Sequence, residues 1–392
     1  MTSRLTCVDL FCGAGGFSLG FSHAGFDVVA ATDYQESAGK TYTHNLDAPF
    51  LQADVADLAR EIEPLVTLGN FDAGAIDVVV GGPPCKGFST AGVYNPDDPR
   101  SSLLHHYIRA VEHLQPRAIV VENVPGAKAV RDGTYVDALL RNARDLGYKI
   151  RMMKLNAADY GVPQLRERLF FVGYKDDIPV SRPIPTHAGD AKQQRLGETL
   201  IDKKHVTVAE AISDLSFLGP GEESHEYELP PQSEYQEQMR DGHEGPLFNH
   251  VAPNHSDIVR ERFQTLDEGA GIDDLPPRLQ TDKHSMRKYD RTEPANTVTT
   301  LPEDFVHYEQ PRIPTVRELA RLQSFPDWFE FKGPRTTGGP QRIDSLPQYS
   351  QVGNAVPPLM AEAVGWHVKA TLTGGDPREA ARARLRRLGM ST

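Results

Sequence analysis

The sequence predicts an α/β protein: a doubly wound, mostly parallel sheet with a smaller, irregular module set into the later part of the chain. Three observations predict it. Short β-rich runs alternate with helical stretches through the first part, the signature of a sheet covered by helices on both faces. From about Tyr174 to Pro294 the sequence turns proline-rich, acidic and irregular, a stretch too long for one loop. Helical sequence then resumes. The expected division is 1–180 for the first part of the large domain, 181–300 for the inserted module, and 301–392 for the return to the large domain and the tail.

Taken in order, the strands are read at Thr6 to Leu10, Phe26 to Ala31, Asp77 to Val80, Ala118 to Val121, Tyr148 to Leu155 and Arg168 to Val172. The inserted stretch is punctuated by Pro183-Ile184-Pro185, Leu229-Pro230-Pro231 and Leu275-Pro276-Pro277. Thr315 to Gln323 predicts a helix, with Thr315 as N-cap and Glu318 at the capping-box position. Another helix is expected from Leu359 towards Thr371, after the turn Gly353 to Pro358. The tail from Asp376 carries Arg378, Arg382, Arg384, Arg386 and Arg387 among alanines, a basic helix that could touch phosphate or simply be solvated.

With 392 residues, the chain can bury one large core and a second module. Its three cysteines, Cys7, Cys12 and Cys85, have no metal-ligand spacing. Met1-Thr2-Ser3-Arg4 leads into a strand without a signal peptide's apolar run, so a reducing, cytoplasmic setting is expected and no metal is. No stretch approaches the roughly 20 apolar residues of a membrane span. A net charge of −12 argues against the simplest nucleic-acid binder, yet an acidic chain can still carry a local basic groove.

In open sheets of this kind ligands sit at the carboxyl ends of the strands, and the chemically telling residues follow those ends. Strand one runs into Asp9-Leu10-Phe11-Cys12-Gly13-Ala14-Gly15-Gly16, a glycine turn that lets a ligand approach the backbone. Counted from Gly13, the dinucleotide pattern fails at Ser18, and phosphate-loop spacing fails as well, so a cofactor without pyrophosphate, such as S-adenosylmethionine, suits the turn. Asp33, at the end of strand two, is placed to accept hydrogen bonds from ribose hydroxyls, and Asp54 to read an adenine amino group.

The strand at Asp77 to Val80 continues into Gly81-Gly82-Pro83-Pro84-Cys85-Lys86-Gly87-Phe88-Ser89. A thiol attacks carbon only as its thiolate, and a polar, glycine-flanked loop favours that form over a packed core cysteine. Glu122, in Glu122-Asn123-Val124-Pro125, is a carboxylic acid that could protonate a ring nitrogen while a nucleophile attacks the neighbouring carbon. In Gln164-Leu165-Arg166-Glu167-Arg168, Gln164, Arg166 and Arg168 share one face if extended, which suits a base carbonyl and phosphates or, equally, a surface salt-bridge set.

These motifs, in this order, closely resemble the cytosine-5 DNA methyltransferase family, of the restriction-modification type, from about Thr6 to Val172 and from Thr315 to Val364. The resemblance implies the sheet of S-adenosylmethionine-dependent methyltransferases with a target-recognition domain. It makes Cys85 the nucleophile that adds to C6 of a flipped cytosine, with Glu122 at N3, Arg168 at the base carbonyl and Arg166 in support. It assigns the S-adenosylmethionine pocket to Phe11, Gly13, Ala14, Gly16, Asp33, Asp54, Val55, Gly82, Pro84, Leu103, Asn354 and Ala355. Contacts to DNA fall to Lys86, Ser89, Gln164 and Thr297, and the basic cluster ending the inserted module adds Arg287 and Lys288.

Two positions depart from the family: Lys86 stands where glutamine is usual, which favours the Cys85 thiolate, and Asp33 stands where glutamate is more common. The implied partner is double-stranded DNA, with a cognate restriction endonuclease on the same site left open. The same chemistry on tRNA, found in one branch of the family, is the nearest alternative, and the long recognition segment favours DNA. Intact Cys85, Glu122 and Arg168 argue against a catalytically silent DNA-binding relative. The failed dinucleotide pattern argues against a nicotinamide oxidoreductase.

Overall fold

Alternation within each strand sets the layers. In the computed structural model, which describes residues 4–84, 103–127, 134–175, 177–189, 203–281, 285–336 and 345–390, Cys7, Val78, Val80, Ala118 and Val120 face one hydrophobic cluster. Their neighbours Val8, Leu10, Val79, Ile119 and Val121 face a second. Period-two side chains that are apolar on both faces require helices on both sides of the sheet.

The sheet is built from β1 (Thr6–Leu10), β2 (Asp27–Asp33), β3 (Phe50–Gln52), β4 (Val78–Gly81), β5 (Ala118–Asn123), β6 (Lys149–Asn156) and β8 (Glu167–Tyr174), with the short β7 (Gln164–Leu165) leading into β8. Their order is β3-β2-β1-β4-β5-β8-β6. All neighbouring pairs are parallel up to β5, and β8 runs antiparallel between β5 and β6. From β1 the chain winds outward to β2 and β3, then returns to β4 on the other side. This reversal opens a crevice at the carboxyl ends of β1 and β4, where Leu10 pairs with Gly81.

The helices of the first part are α1 (Gly16–His23), α2 (Glu36–Asn45), α3 (Val55–Leu58), α4 (Glu63–Gly69), α5 (Leu103–Leu114) and α6 (Thr134–Asp145). Phe17, Leu19 and Phe21 of α1 join one cluster, and Tyr107, Ile108 and Val111 of α5 join the other.

Among the described residues, the inserted stretch contains short helices, α7 (Val208–Ile212), α8 (Glu234–Arg240) and α9 (Asp257–Thr265), and two-residue strands β9 (His187–Ala188), β10 (Lys203–Lys204), β11 (Arg287–Lys288), β12 (Ala295–Asn296) and β13 (Phe305–Val306). Val208, Ala211, Ile212, Tyr235 and Met239 pack into the cluster shared with α1. Phe263, Leu266, Ile272, Leu275, Leu279, Met286, Val306 and Ile313 form a small core of their own.

The return begins with α10 (Val316–Leu322), whose capping box is present as the sequence predicts: Glu318 N–H donates to Thr315 Oγ1 at 3.2 Å and Thr315 N–H to Glu318 Oε2 at 2.8 Å. It is followed by α11 (Gln348–Asn354), α12 (Pro358–Leu372) and α13 (Pro377–Arg387). Every residue of α10 is buried, including three charged ones. No helix among the described residues is long and apolar enough to cross a membrane.

Candidate active site

The glycine turn after β1 is held open by carboxylates. Phe11 and Gly13 both adopt left-handed backbone angles, at φ 60° and 54°. Gly13 N–H donates to Asp33 Oδ2 at 2.9 Å, and Asp33 Oδ1 accepts from Gln35 N–H at 2.9 Å. Asp33 therefore first fixes the turn; a carboxylate oxygen accepts more than one hydrogen bond, so ribose contact from it stays sterically and chemically open. Asp9, which the sequence reading passed over, accepts from Ser18 N–H at 3.1 Å and Ser18 Oγ at 2.7 Å. Burial pushes its pKa up to about 7 against the pull of those bonds.

The cradle has room on one side and a wall on the other. A Cβ added to Gly13 would meet nothing within 4 Å, whereas one on Gly16 would lie 2.1 Å from Val356 O. The backbone after α11 thus closes against the turn, which places Ala355 and the exposed Asn354 beside it. Asp54 is exposed and caps α3 by accepting from Ala56 N–H at 2.8 Å; Val55 behind it is buried. Ala14 is buried in the core, and Leu103 opens α5. A left-handed, side-chain-free turn with open space at Gly13 and carboxylates around it fits a nucleoside cofactor lacking phosphates.

Gly82 and Pro84 leave the end of β4, and an added Cβ on Gly82 would stand 3.6 Å from Glu122 Oε2. Asn123 donates to Pro83 O at 3.4 Å, tying the same loop to β5. Cys85, Lys86 and Ser89, which follow, lie outside the described residues.

Glu122 is bound to Arg168 across the β5–β8 pair, Nε to Oε1 at 3.0 Å. Burial raises the Glu122 pKa and lowers that of Arg168, while each partner opposes the other's shift. Arg168 Nη1 donates to Glu167 O at 2.7 Å, leaving Nη2 without a hydrogen bond among the described residues. Arg168 also lines a cleft of about 530 Å³ with Pro125, Asn156, Leu165, Glu167 and Thr297. An acid whose pKa burial raises, beside a guanidinium whose Nη2 has no hydrogen bond among the described residues, can address adjacent nitrogen and carbonyl oxygen of a heterocycle.

The other two residues of the alternating set do not open into that cleft. Arg166 is buried and donates to Val298 O at 2.9 Å, Gly353 O at 2.9 Å and Ala355 O at 3.2 Å, so its reach is to the loop beside the glycine turn. Gln164, expected at DNA, is fully buried: its amide donates to Leu322 O at 2.7 Å and Gln323 Oε1 at 2.8 Å and accepts from Val298 N–H at 3.0 Å. It braces the site and has no surface for DNA. Thr297 is half-buried and donates to Leu165 O at 2.8 Å, holding the cleft's rim.

In the basic cluster, Lys288 donates to Leu266 O at 3.0 Å and Phe263 O at 3.4 Å, covering the carbonyl end of α9. Exposed Arg287 donates to Gly269 O at 2.7 Å through one nitrogen. Arg291 and Arg278 are paired with Glu268 and Glu261. Sequence shows where cations cluster along the chain; it does not show which of them the fold occupies.

Fold and site together describe an α/β protein with an open glycine turn at the topological switch point and an acid–arginine pair beside it. The profile of the C-5 cytosine-specific DNA methylase family matches residues 5–370. The Type II methyltransferase M.DdeI of Desulfomicrobium norvegicum is 35% identical over 381 residues, covering 92% of this chain and 87% of that protein. Type II methyltransferase M1.HphI of Haemophilus parahaemolyticus is 36% identical over 367 residues, covering 92% and 85%. Among solved structures, a protein described as a DNA modification methyltransferase encoded within a prophage (E. coli) superposes with a TM-score of 0.72 at 27% identity, over 94% of this chain and 100% of that one. The chain belongs to the C-5 cytosine-specific DNA methylase family and is a DNA cytosine-5 methyltransferase.

Proposed function

We propose that this chain methylates C5 of a cytosine turned out of duplex DNA, through a covalent adduct to Cys85, with S-adenosylmethionine as donor. The observation that carries the reading is Glu122 paired to Arg168, at the cleft and against the Gly82 loop that leads to Cys85. A cytosine inside the stack cannot reach such a pair, so the base is extruded at a cost of about a few kcal/mol.

The Cys85 thiolate, favoured by the cation of Lys86, forms the S–C6 bond. As electron density moves into the ring, Glu122 gives its proton to N3, which its burial-raised pKa equips it to do, and Arg168 holds O2 through its spare donor. C5 becomes the nucleophilic carbon. S-adenosylmethionine, when bound, supplies the electrophilic methyl group. Loss of the C5 proton to a base, with the S–C6 bond breaking and N3 returning its proton to Glu122, regenerates the thiolate and leaves 5-methylcytosine.

The residues that would hold the cofactor are Phe11, Gly13, Ala14 and Gly16 in the turn, Asp33, Asp54 and Val55 towards its nucleoside, and Gly82, Pro84, Leu103, Asn354 and Ala355 around it. Lys86, Ser89 and Thr297 would meet the strand carrying the target base, and Arg287 a phosphate further along. The names of the Type II relatives support a role in marking DNA against a nuclease with the same target; the setting we propose for it is the cytoplasm.

The decisive experiment sequences genomic DNA at base resolution after incubation with the enzyme and labelled S-adenosylmethionine. Methylation confined to one short motif is expected, and Cys85→Ala should abolish it while calorimetry still shows cofactor binding. Turnover by Cys85→Ala would overturn the covalent mechanism. Label transferred only to tRNA would overturn the DNA substrate.

A further inference from the structure

The C-terminal helix α13 begins after the last residue matched to the family, and its arginines are not all solvent groups. Arg384 is buried, and its Nη2 donates to Tyr160 O and to Leu359 O, each at 2.9 Å. Those carbonyls lie on two segments that adjoin the site. Tyr160 ends the turn Ala157–Tyr160 between β6 and β7, and Ala157 N–H is itself bonded to Arg166 O at 2.9 Å. Leu359 lies in the first turn of α12, directly after the backbone that presses on Gly16.

A second tie reinforces the first. Glu362, buried on α12, accepts from Arg387 Nε at 2.6 Å and Nη2 at 2.7 Å, with Arg384 Nε 3.7 Å from the same carboxylate. Arg382 is taken up by Glu379 on its own helix; Arg378 and Arg386 are exposed, and Arg387 is exposed apart from its hold on Glu362. The Arg384 guanidinium is therefore desolvated to hold two backbone carbonyls, while the partly exposed Arg387 holds the buried carboxylate; burying a guanidinium in this way is too costly for a phosphate-binding arm and suited to fixing distances.

We propose that α13 is an intramolecular clasp, with Arg384 a positioning residue that keeps the arginine strand and the cofactor loop at the separation the reaction needs. The role rests on the methyltransferase reading of the site. It explains why a basic tail is folded inward: an error of about 1 Å in aligning two reactants can cost about 10²-fold in rate.

The test compares Arg384→Ala, Arg384→Lys and the double change Arg378→Ala with Arg386→Ala, each assayed well below its unfolding midpoint and checked for fold by circular dichroism. Calorimetry with S-adenosylhomocysteine gives cofactor affinity without turnover. Arg384→Ala should weaken that affinity about tenfold and lower kcat by about 10- to 100-fold, with Arg384→Lys recovering part of both and the exposed double variant unchanged. A lowered midpoint with affinity and kcat intact would overturn the proposal, since a purely structural brace predicts that result. Salt-dependent loss of DNA affinity in the double variant, with Arg384→Ala unaffected, would make the helix a phosphate arm and equally overturn it. Should the wild type methylate no DNA, the calorimetric comparison still decides, because it needs no substrate.

Discussion

Two sets of buried charges in this molecule are built to opposite ends. At the carboxyl edge of the sheet, Glu122 and Arg168 share one hydrogen bond, and burial pushes each towards its neutral form. Beneath α10, Arg321 donates to both oxygens of Asp214, at 3.0 and 3.2 Å, and to both of Asp327, at 2.6 Å each. Arg312 holds Glu318 in the same two-pronged way, at 2.7 Å twice. There, neighbouring charges win: burial would raise the Glu318 pKa, but Arg312 and His307 bring it down to about 2. A saturated network is fixed in its charge state. A pair with fewer partners among the described residues can exchange one for a substrate, as the general acid proposed above needs.

The comparison can be broken most directly at its two centres. Glu122→Gln should lower kcat by about 10²- to 10⁴-fold, the range of a positioned proton donor, with little change in the unfolding midpoint. Single-turnover kinetics and a urea titration would measure the two separately, and a large loss of stability with modest kinetic loss would erase the distinction. Arg321→Met should do the reverse, costing about 3–5 kcal/mol of stability because Asp214 and Asp327 lose the buried cation that joins them and keep, as cations among the described residues, only Arg240 and the more distant Arg317. At low temperature its kcat should stay near the wild-type value.

The pH dependence of stability sharpens the contrast. His187, His250, His307 and His367 have pKa values lowered by burial to about 3, 4, 3 and 4. The unfolded chain therefore binds more protons than the folded one below its histidine pKa of about 6.5, and stability should fall as pH drops from there towards 4. Asp9 acts in the opposite sense, because its raised pKa of about 7 means the folded state takes up a proton that the unfolded chain, at about 3.9, still lacks. Asp9→Asn should make the acid-side decline steeper, and His307→Gln should make it shallower, in urea midpoints taken from pH 4 to 7. The smallest effect is expected from Arg287→Ala: DNA affinity reduced a few-fold, with the salt slope shallower by about 1 if it meets a phosphate. No change across salt concentrations would remove that contact.

Part of this was legible in the residues themselves. Thr315 and Glu318 announce the start of α10 because capping is a matter of three residues and their own backbone. The glycine turn, the strand ends at Asp33 and Glu122, and the departure of the chain from β4 at Gly82 are legible for the same reason. Gln164, Arg166 and Arg168 were not separable, since alternation gives a shared face and says nothing of what packs on it. Of the three, Arg168 meets the cleft; the other two are covered by the segment at Val298 and the C-terminal end of α11 at Gly353. The basic run at Arg287 and Lys288 was legible as charge, while Lys288's duty at the end of α9 was not.

What the sequence determined by itself, then, is the order of strands and helices and the identity of the chemical groups at the strand ends, because periodicity, caps and turns act over a few residues. Which charges lose their water was decided only by tertiary structure. Desolvation depends on surfaces brought together from 20 to more than 200 residues apart, as Gly13 meets Asp33 and Arg384 meets Tyr160, and it is the balance of desolvation against neighbouring charge that separates Glu122 from the ion pairs that hold the fold.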